Sequence, residues 1–401
     1  MRSGAGFFKT LMNKDFFEWI DAHMGDDPGS LWLKYGKTHA SAITQVECRR
    51  RFGAKLSRTL ADDPQFLFPN TLAGEQSTSD ALASFHSSLI EPGCTIADFT
   101  AGLGIDAMAM ARCAAHVTAV EMNPEVAEAL VHNSRHLNNL DVVCADCREY
   151  AEAVAAEGKV FDTIFIDPAR RDKDGGRTYA LADCSPDIVA MLPLMRRITH
   201  LVIVKASPML DIAHTINELD NVTGVIILGT PGECKELDVV IDFGVEVAEP
   251  VISAVTLTAE GISRFDFTRS EEAATSPRYG FPKTGDYILE PYPAVMKAGA
   301  FRLLSERYGL QSISANTHLW HIEAIPEGFP GKSFLITDIQ EFASKNIKRY
   351  AASHPRVSVT VRNFDMSAEA LRAKLRVRDG EERLFAIGSD EGRLLVTAKP
   401  C

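Results

Sequence analysis

Through the middle of this 401-residue chain, short apolar runs alternate with amphipathic stretches long enough to be helices. The runs over 95–98, 116–121, 141–144, 163–167, 201–205, 222–228 and 239–243 read as strands. Helical spacing of apolar residues falls between most of them, as over 105–111 and 124–137. Strand and helix in strict alternation predict an α/β fold, a Rossmann-like doubly wound sheet with most strands parallel.

Ahead of this region, 15–23 and 43–60 carry apolar residues three and four apart, as helices do. Pro64, Pro69 and Gly74 break the pattern over 62–74, which reads as a linker, and residues 1–75 are expected to form an N-terminal helical domain. After Gly244 the texture changes. Strand-like runs over 251–258, 311–315, 319–324 and 333–336 mix with helical spacing over 292–308, 340–352 and 367–375. The expected organisation is therefore a helical segment (1–75), a sheet domain (76–245) and two C-terminal α+β domains (246–318 and 319–401).

Composition narrows this picture only slightly. No run of eighteen apolar residues occurs, so a membrane span is not expected. The opening stretch MRSGAGFFKTLMNKDFF has neither a continuous apolar core nor a small-residue cleavage site. The eight cysteines are scattered rather than arranged as a disulfide framework. Both features fit a cytoplasmic protein. Cys144 and Cys147 form a C-x-x-C, but a second pair at zinc-site spacing is missing, and no metal is expected. The net charge of -12 provides no global field for gripping nucleic acid, although it leaves room for a local basic patch.

The sharpest chemical signal is the turn from Asp98 to Asp106, which reads D-F-T-A-G-L-G-I-D. A strand runs into Gly102 and Gly104 and then into a helix. Glycines there let the backbone approach a ligand at the carboxyl end of the strand, where open α/β sheets bind their ligands. A lone G-x-G is weak, yet acids follow at the ends of the next strands. Glu121, seventeen residues after Gly104, stands where a carboxylate accepts from ribose hydroxyls. Asp146, after the third strand, is placed to accept from an adenine amino group. With Gly102 as its first glycine, a dinucleotide fingerprint would end on Ala107, so spacing alone does not exclude a nicotinamide cofactor. Asp98 decides against it, because a carboxylate ahead of the loop suits a cationic ammonium group and repels a pyrophosphate.

These residues resemble the class I S-adenosylmethionine-dependent methyltransferases, and the resemblance spans the central domain. It implies that Asp98, Gly102 and Gly104 hold the methionine end of S-adenosylmethionine, Glu121 the ribose and Asp146 the adenine edge. Thr100, Asp106, Met122 and Cys147 complete the candidate cofactor set. In this family an acid and proline closing the fourth strand mark the acceptor site, and Asp167-Pro168-Ala169-Arg170 stands there. Where an aromatic follows a second proline, the acceptor is an exocyclic base nitrogen. Ala169 and Arg170 depart from that pattern, although a guanidinium also stacks on a base or binds phosphate. In the related 5-methyluridine enzymes a cysteine nucleophile follows the fifth strand. Here the matching stretch is Val204-Lys205-Ala206-Ser207-Pro208, with Ala206 at the nucleophile's place, so direct transfer is expected. Asp167, Pro168 and Arg170 are the candidate catalytic residues, with Arg171, Lys205 and Ser207 lining the acceptor pocket. A polar stretch over 172–179, ending in Tyr179, is a candidate lid.

Residues 341–378 carry nine Lys or Arg against Glu341, Asp365 and Glu369, a local excess in an acidic chain. Such asymmetry is the footprint of phosphate binding, and Arg372, Lys374 and Arg376 are its candidate contacts. With the turn and loop above and the terminal LRAKLRVRDGEERLFAIG, the chain resembles a bacterial group of methyltransferases ending in a THUMP-like domain. That resemblance implies an RNA partner, tRNA or rRNA, methylated on a base nitrogen. The competing expectations are a small-molecule or protein methyltransferase and a non-catalytic cofactor- and RNA-binding module.

Overall fold

The computed structural model describes residues 14–170, 181–389 and 392–401, which fall into two compact units. The first runs to Thr223 and adds Val239–Glu246; the second comprises Gly224–Asp238 and Val247–Cys401. Among the described residues no helix is long and apolar enough to cross a membrane.

The first unit opens with helices α1 (Lys14–His23), α2 (Pro28–Phe52), α3 (Ser57–Asp62), α4 (Thr71–Gln76) and α5 (Asp80–Ser88). Their starts are chemically marked. Asp27 accepts the Ser30 N–H ahead of α2, which has Pro28 at its first position, and Asn70 and Ser79 cap α4 and α5 in the same way. The alternating core follows: β1 (Thr95–Asp98), α6 (Ile105–Met110), β2 (His116–Glu121), α7 (Pro124–Asn133), β3 (Leu140–Cys144), α8 (Cys147–Glu157) and β4 (Phe161–Ile166). A short antiparallel pair, β5 (Ala169–Arg170) and β6 (Cys184–Ser185), then leads to α9 (Ile188–Met195), β7 (Thr199–Ala206) and α10 (Ile212–Glu218). β1 lies between β2 and β4, with β3 and β7 outside them, all parallel. Ile96, Val117, Ala119, Leu130, Phe165 and Ile203 belong to the core packed around these strands.

The stretch expected as a linker, 62–74, is bound into this unit by its own backbone. The Leu67 N–H and C=O pair with the Asn133 side-chain amide at 2.8 and 3.0 Å. Gln45 makes the same reciprocal pair with Phe68, at 2.7 and 3.0 Å. Asp63 receives both outer nitrogens of Arg135 at 2.7 Å. Phe66 and Phe68 are fully buried against residues of α2, α6 and α7. The prolines that break the helical pattern thus shape a packed extended segment.

β8 (Val222–Gly229) and β9 (Cys234–Asp242) cross the boundary between the units in sequence. The turn Thr230–Glu233 closes on a 2.8 Å backbone bond, and so short a connection permits only antiparallel neighbours.

In the second unit, β10 (Val251–Thr258) lies parallel to β8 and antiparallel to β11 (Gly261–Phe267). After α11 (Arg269–Ala274) come β12 (Tyr287–Pro291), α12 (Pro293–Ala298), α13 (Phe301–Tyr308), β13 (Gln311–Ser312) and β14 (Trp320–Ile322). The remainder is β15 (Gly331–Glu341), α14 (Ser344–Ser353), β16 (Arg356–Arg362), α15 (Ala368–Leu375), β17 (Arg378–Ser389) and β18 (Gly392–Pro400). Seven of these strands form one sheet, in the order β13-β14-β12-β15-β18-β17-β16. Leu384 and Ala386 of β17 pack in one cluster with Tyr350 and Leu371, while Phe385 and Ile387 pack in another with Phe334 and Val396. Both faces of the sheet are therefore covered, as period-two alternation of apolar residues requires.

Candidate active site

The turn after β1 forms one wall of a cavity of about 800 Å³ in the first unit. Gly102 and Gly104 both have positive φ, 53° and 78°. At Gly104 a Cβ would also lie 2.0 Å from Leu130 Cδ1, so α6 packs on α7 only through a residue without a side chain. At Gly102 a Cβ would meet nothing within 4 Å, so conformation alone calls for glycine there. Glu121 is fixed at the cavity edge, its two oxygens accepting the Gly102 and Asn123 N–H groups at 3.0 and 2.7 Å. Asp146 also borders the cavity and caps α8, with Oδ1 accepting the Arg148 N–H at 2.8 Å. Met122 is exposed at the lining. Cys147 is buried, and burial pushes its thiol up to about 11, so it stays protonated at neutral pH.

Beneath the turn lies a buried charged network. Asp98 is only 2% exposed. Burial, and then the neighbouring Asp106, push its carboxyl well above the usual carboxylate range, against the Thr100 N–H that it accepts at 3.1 Å. Burial also acts to raise Asp106, but His86, Lys205 and Thr78 outweigh it and hold that carboxyl below its ordinary value. His86 Nδ1 is 2.7 Å from Asp106 Oδ1, and the Thr78 hydroxyl donates to Oδ2. The same hydroxyl accepts Lys205 Nζ at 3.0 Å, and Nζ also donates to Asp167 Oδ2 at 2.6 Å. The Asp167 N–H in turn donates to Thr100 Oγ1 at 2.6 Å. The end of β4 and the cofactor turn are thus joined by both backbone and side chain.

Of the acceptor candidates, Asp167 borders the cavity, Pro168 is buried beside it, and Lys205 reaches the cavity wall through Asp167 and Thr78. The backbone of Arg170 pairs with Cys184 in β5–β6. Arg171 and the segment 172–179 lie outside the described residues. Ser207 accepts the Met209 N–H at 3.3 Å in the turn after β7 and is not among the cavity residues. Ala206 ends β7, buried.

Sequence reasoning missed an entire wall of the cavity. Asn70, Leu72, Gln76, Ser77 and Thr78 line it from ahead of β1, and Pro186 and Met191 line it from β6–α9. Thr78 and Lys205 are 127 positions apart, and only folding joins them. The one local signal was the run of polar residues capping α5, which reads as a helix start and nothing more.

In the second unit the basic candidates divide. Arg372 is paired with Asp379 at 3.0 Å, and Lys374 lies over the Phe342 ring at 5.1 Å. Arg376 is exposed, its backbone closing α15 in the left-handed conformation. Arg378, at the start of β17, is also exposed.

Comparison with known proteins adds the following. Family models match residues 87–180 (conserved hypothetical protein 95), 287–330 (ferredoxin-like domain) and 331–399 (THUMP domain-like). The crystal structure of a candidate methyltransferase from Porphyromonas gingivalis W83 is 30% identical and superposes with a TM-score of 0.86, covering 98% of this chain and 100% of its own. An uncharacterized S-adenosylmethionine-dependent methyltransferase of Mycobacterium tuberculosis H37Rv is 25% identical over 354 residues, 86% of this chain and 91% of the relative. The ribosomal RNA small subunit methyltransferase J of Acinetobacter baylyi is 31% identical over 108 residues, 23% of this chain and 40% of that protein.

Proposed function

Since this chain belongs to the family of S-adenosylmethionine-dependent methyltransferases that includes the P. gingivalis and M. tuberculosis proteins, we propose that its acceptor is a base nitrogen of tRNA or rRNA, methylated by direct displacement. The observation that carries the acceptor site is Asp167, which closes β4 in the same cavity as Asp98 and Glu121 and is held by Lys205 at 2.6 Å. For RNA as the acceptor, the support is the THUMP-like match, the relative named for ribosomal RNA, and the exposed Arg376 and Arg378.

The cavity suits the cofactor: it offers buried and half-buried acids toward a cation and hydroxyls, and an open backbone at Gly102. Bound there, S-adenosylmethionine supplies an electrophilic methyl group on a sulfonium. In this reading Asp98 meets the ammonium group, Glu121 the ribose hydroxyls and Asp146 the adenine amino group. Thr100 ties the turn to β4, so the residues that hold the donor and acceptor move together. Asp167 accepts an N–H of the acceptor amine and so directs its lone pair, while Lys205 fixes the carboxylate's orientation. Positioning of this kind supplies much of the acceleration in a transfer that needs no covalent intermediate. Ala206 fits that chemistry, because no thiol stands at the end of β7.

The test is transfer of labelled methyl from S-adenosylmethionine to RNA from cells lacking the protein, resolved into tRNA and rRNA. Label that disappears with Asp167→Ala, while cofactor affinity persists, is the expected result. No label in RNA, with confirmed cofactor binding, would sink the RNA reading and turn attention to small-molecule or protein acceptors.

A further inference from the structure

The second unit holds a cavity of its own, about 510 Å³, bounded by α11, the α12–α13 corner and the β13–β14 segment. Its floor is aromatic. Phe301 lies 4.3 Å from His318, centroid to centroid, with Trp320 behind it at 6.1 Å. The Trp320 indole N–H already donates to Ser305 Oγ at 2.7 Å, so the ring offers the cavity only apolar surface. Burial, and then Arg362, hold His318 below its ordinary pKa, so at neutral pH it is an uncharged ring. Tyr279, 51% exposed, adds a fourth aromatic at the lining.

The rim is cationic. Arg269, Arg278 and Arg302 all border the cavity and are exposed. Among the described residues none of the three guanidiniums has a partner. Several other arginines of this unit have carboxylate partners, among them Arg264 with Asp266, Arg307 with Glu271, Arg362 with Glu290 and Arg393 with Asp365. Three guanidiniums without a carboxylate partner border one hollow, a local concentration of positive charge in a chain with 54 acidic against 42 basic residues. The one carboxylate at the lining, Glu272, makes no ion pair with any of the three. Both oxygens of Glu272 accept backbone N–H groups, of Arg302 and Leu303, at 3.0 and 2.9 Å.

We infer that this cavity binds a nucleoside monophosphate unit, its base against the Phe301–His318–Tyr279 surface and its phosphate among Arg269, Arg278 and Arg302. Bare phosphate leaves the aromatic floor in contact with water, and an uncharged apolar ligand leaves three guanidiniums unanswered. A base with a phosphate satisfies both, by stacking and by forked N–H donation. The volume lies in the range of single-ligand pockets. Assigning the unit to an RNA chain rests on the RNA reading above; the chemistry of the pocket does not.

Calorimetric titration of the full chain with AMP, adenosine or inorganic phosphate tests this, with saturating S-adenosylhomocysteine filling the cofactor site. A labelled single-stranded oligoribonucleotide is titrated in parallel by anisotropy. AMP or the oligonucleotide is expected to bind, with adenosine and phosphate each at least tenfold weaker than AMP. Binding of AMP would indicate a free nucleotide as the source; binding of the oligonucleotide alone would indicate a nucleotide of RNA. Arg278→Ala with Arg302→Ala should lower affinity at least tenfold, Tyr279→Ala about fivefold or more, and the two Arg→Lys changes less than the alanines. S-adenosylhomocysteine affinity should not move in any of them. Failure of both AMP and the oligonucleotide to bind, or native affinity in the double alanine variant, overturns the inference. RNA methylation measured alongside separates the two readings. AMP binding without RNA methylation would leave the pocket standing and remove the RNA acceptor; the reverse would do the opposite.

Discussion

Asp98 holds a carboxyl in a place that disfavours its charge. Burial and Asp106 raise it, Asp167 adds to them, and Lys205 and the Thr100 N–H only partly compensate. A cationic ammonium arriving beside it reverses that balance, so cofactor binding should release a proton. The sign follows directly: the ligand selects the ionised form of a group whose pKa is raised in the free protein. Affinity for S-adenosylhomocysteine should therefore climb with pH, by up to tenfold per unit below that pKa, and level off above it. Calorimetry in buffers of different ionisation enthalpy counts the proton. Asp98→Asn keeps the shape, removes the charge and should cost about 2–5 kcal/mol of cofactor affinity; native affinity in that variant would refute the pairing. Asp98, Gly102, Gly104, Glu121 and Asp146 were legible because strand-end intervals along one α/β chain translate directly into proximity. Thr78 and His86 were not, since a hydroxyl just ahead of a helix and an imidazole within it carry no mark of the carboxylate that folding will bring to them.

At the scale of elements, the strands of the central sheet were legible to within a few residues at most ends. Apolar runs bounded by turns have few alternatives inside a buried parallel sheet. Two kinds of segment escaped. The stretch 62–74 carries its order in amide pairs with Gln45 and Asn133, which no local pattern announces. β12 is a short run ending on Pro291 and owes its strand character to its neighbours β14 and β15. The α6–α7 contact offers a direct test. Gly104→Ala places a methyl group against Leu130 at a positive φ, and strain and overpacking together should cost about 2–5 kcal/mol in chemical denaturation. Adding Leu130→Ala makes room for that methyl, so the double variant should be destabilised by less than the sum of the two single changes. Simple additivity would show that the overlap is not what demands glycine.

Across the whole molecule, an acidic chain keeps its uncommitted positive charge in a few places, and these were only partly visible in sequence. Counting Lys and Arg located the basic stretch over 341–378, but Arg372 is matched with Asp379 and Lys374 lies over an aromatic ring. Arg376 and Arg378 are the better phosphate candidates. Changed together to Glu, they should weaken RNA binding at every sequence tested. The slope of log affinity against log salt should also flatten, by about 0.7 for each single-strand phosphate that is no longer neutralised. An unchanged slope would mean that RNA does not touch them. The clamped stretch ahead of β1 has a consequence of another kind. Since Asn70 to Thr78 wall the cavity and Thr78 is bonded to both Asp106 and Lys205, the catalytic fold is not portable as its sheet and helices alone. A graft or minimal version cut just before β1 would carry every sequence motif and still lack one side of its pocket. The smallest transplantable piece therefore begins upstream of the pattern by which such a domain is recognised.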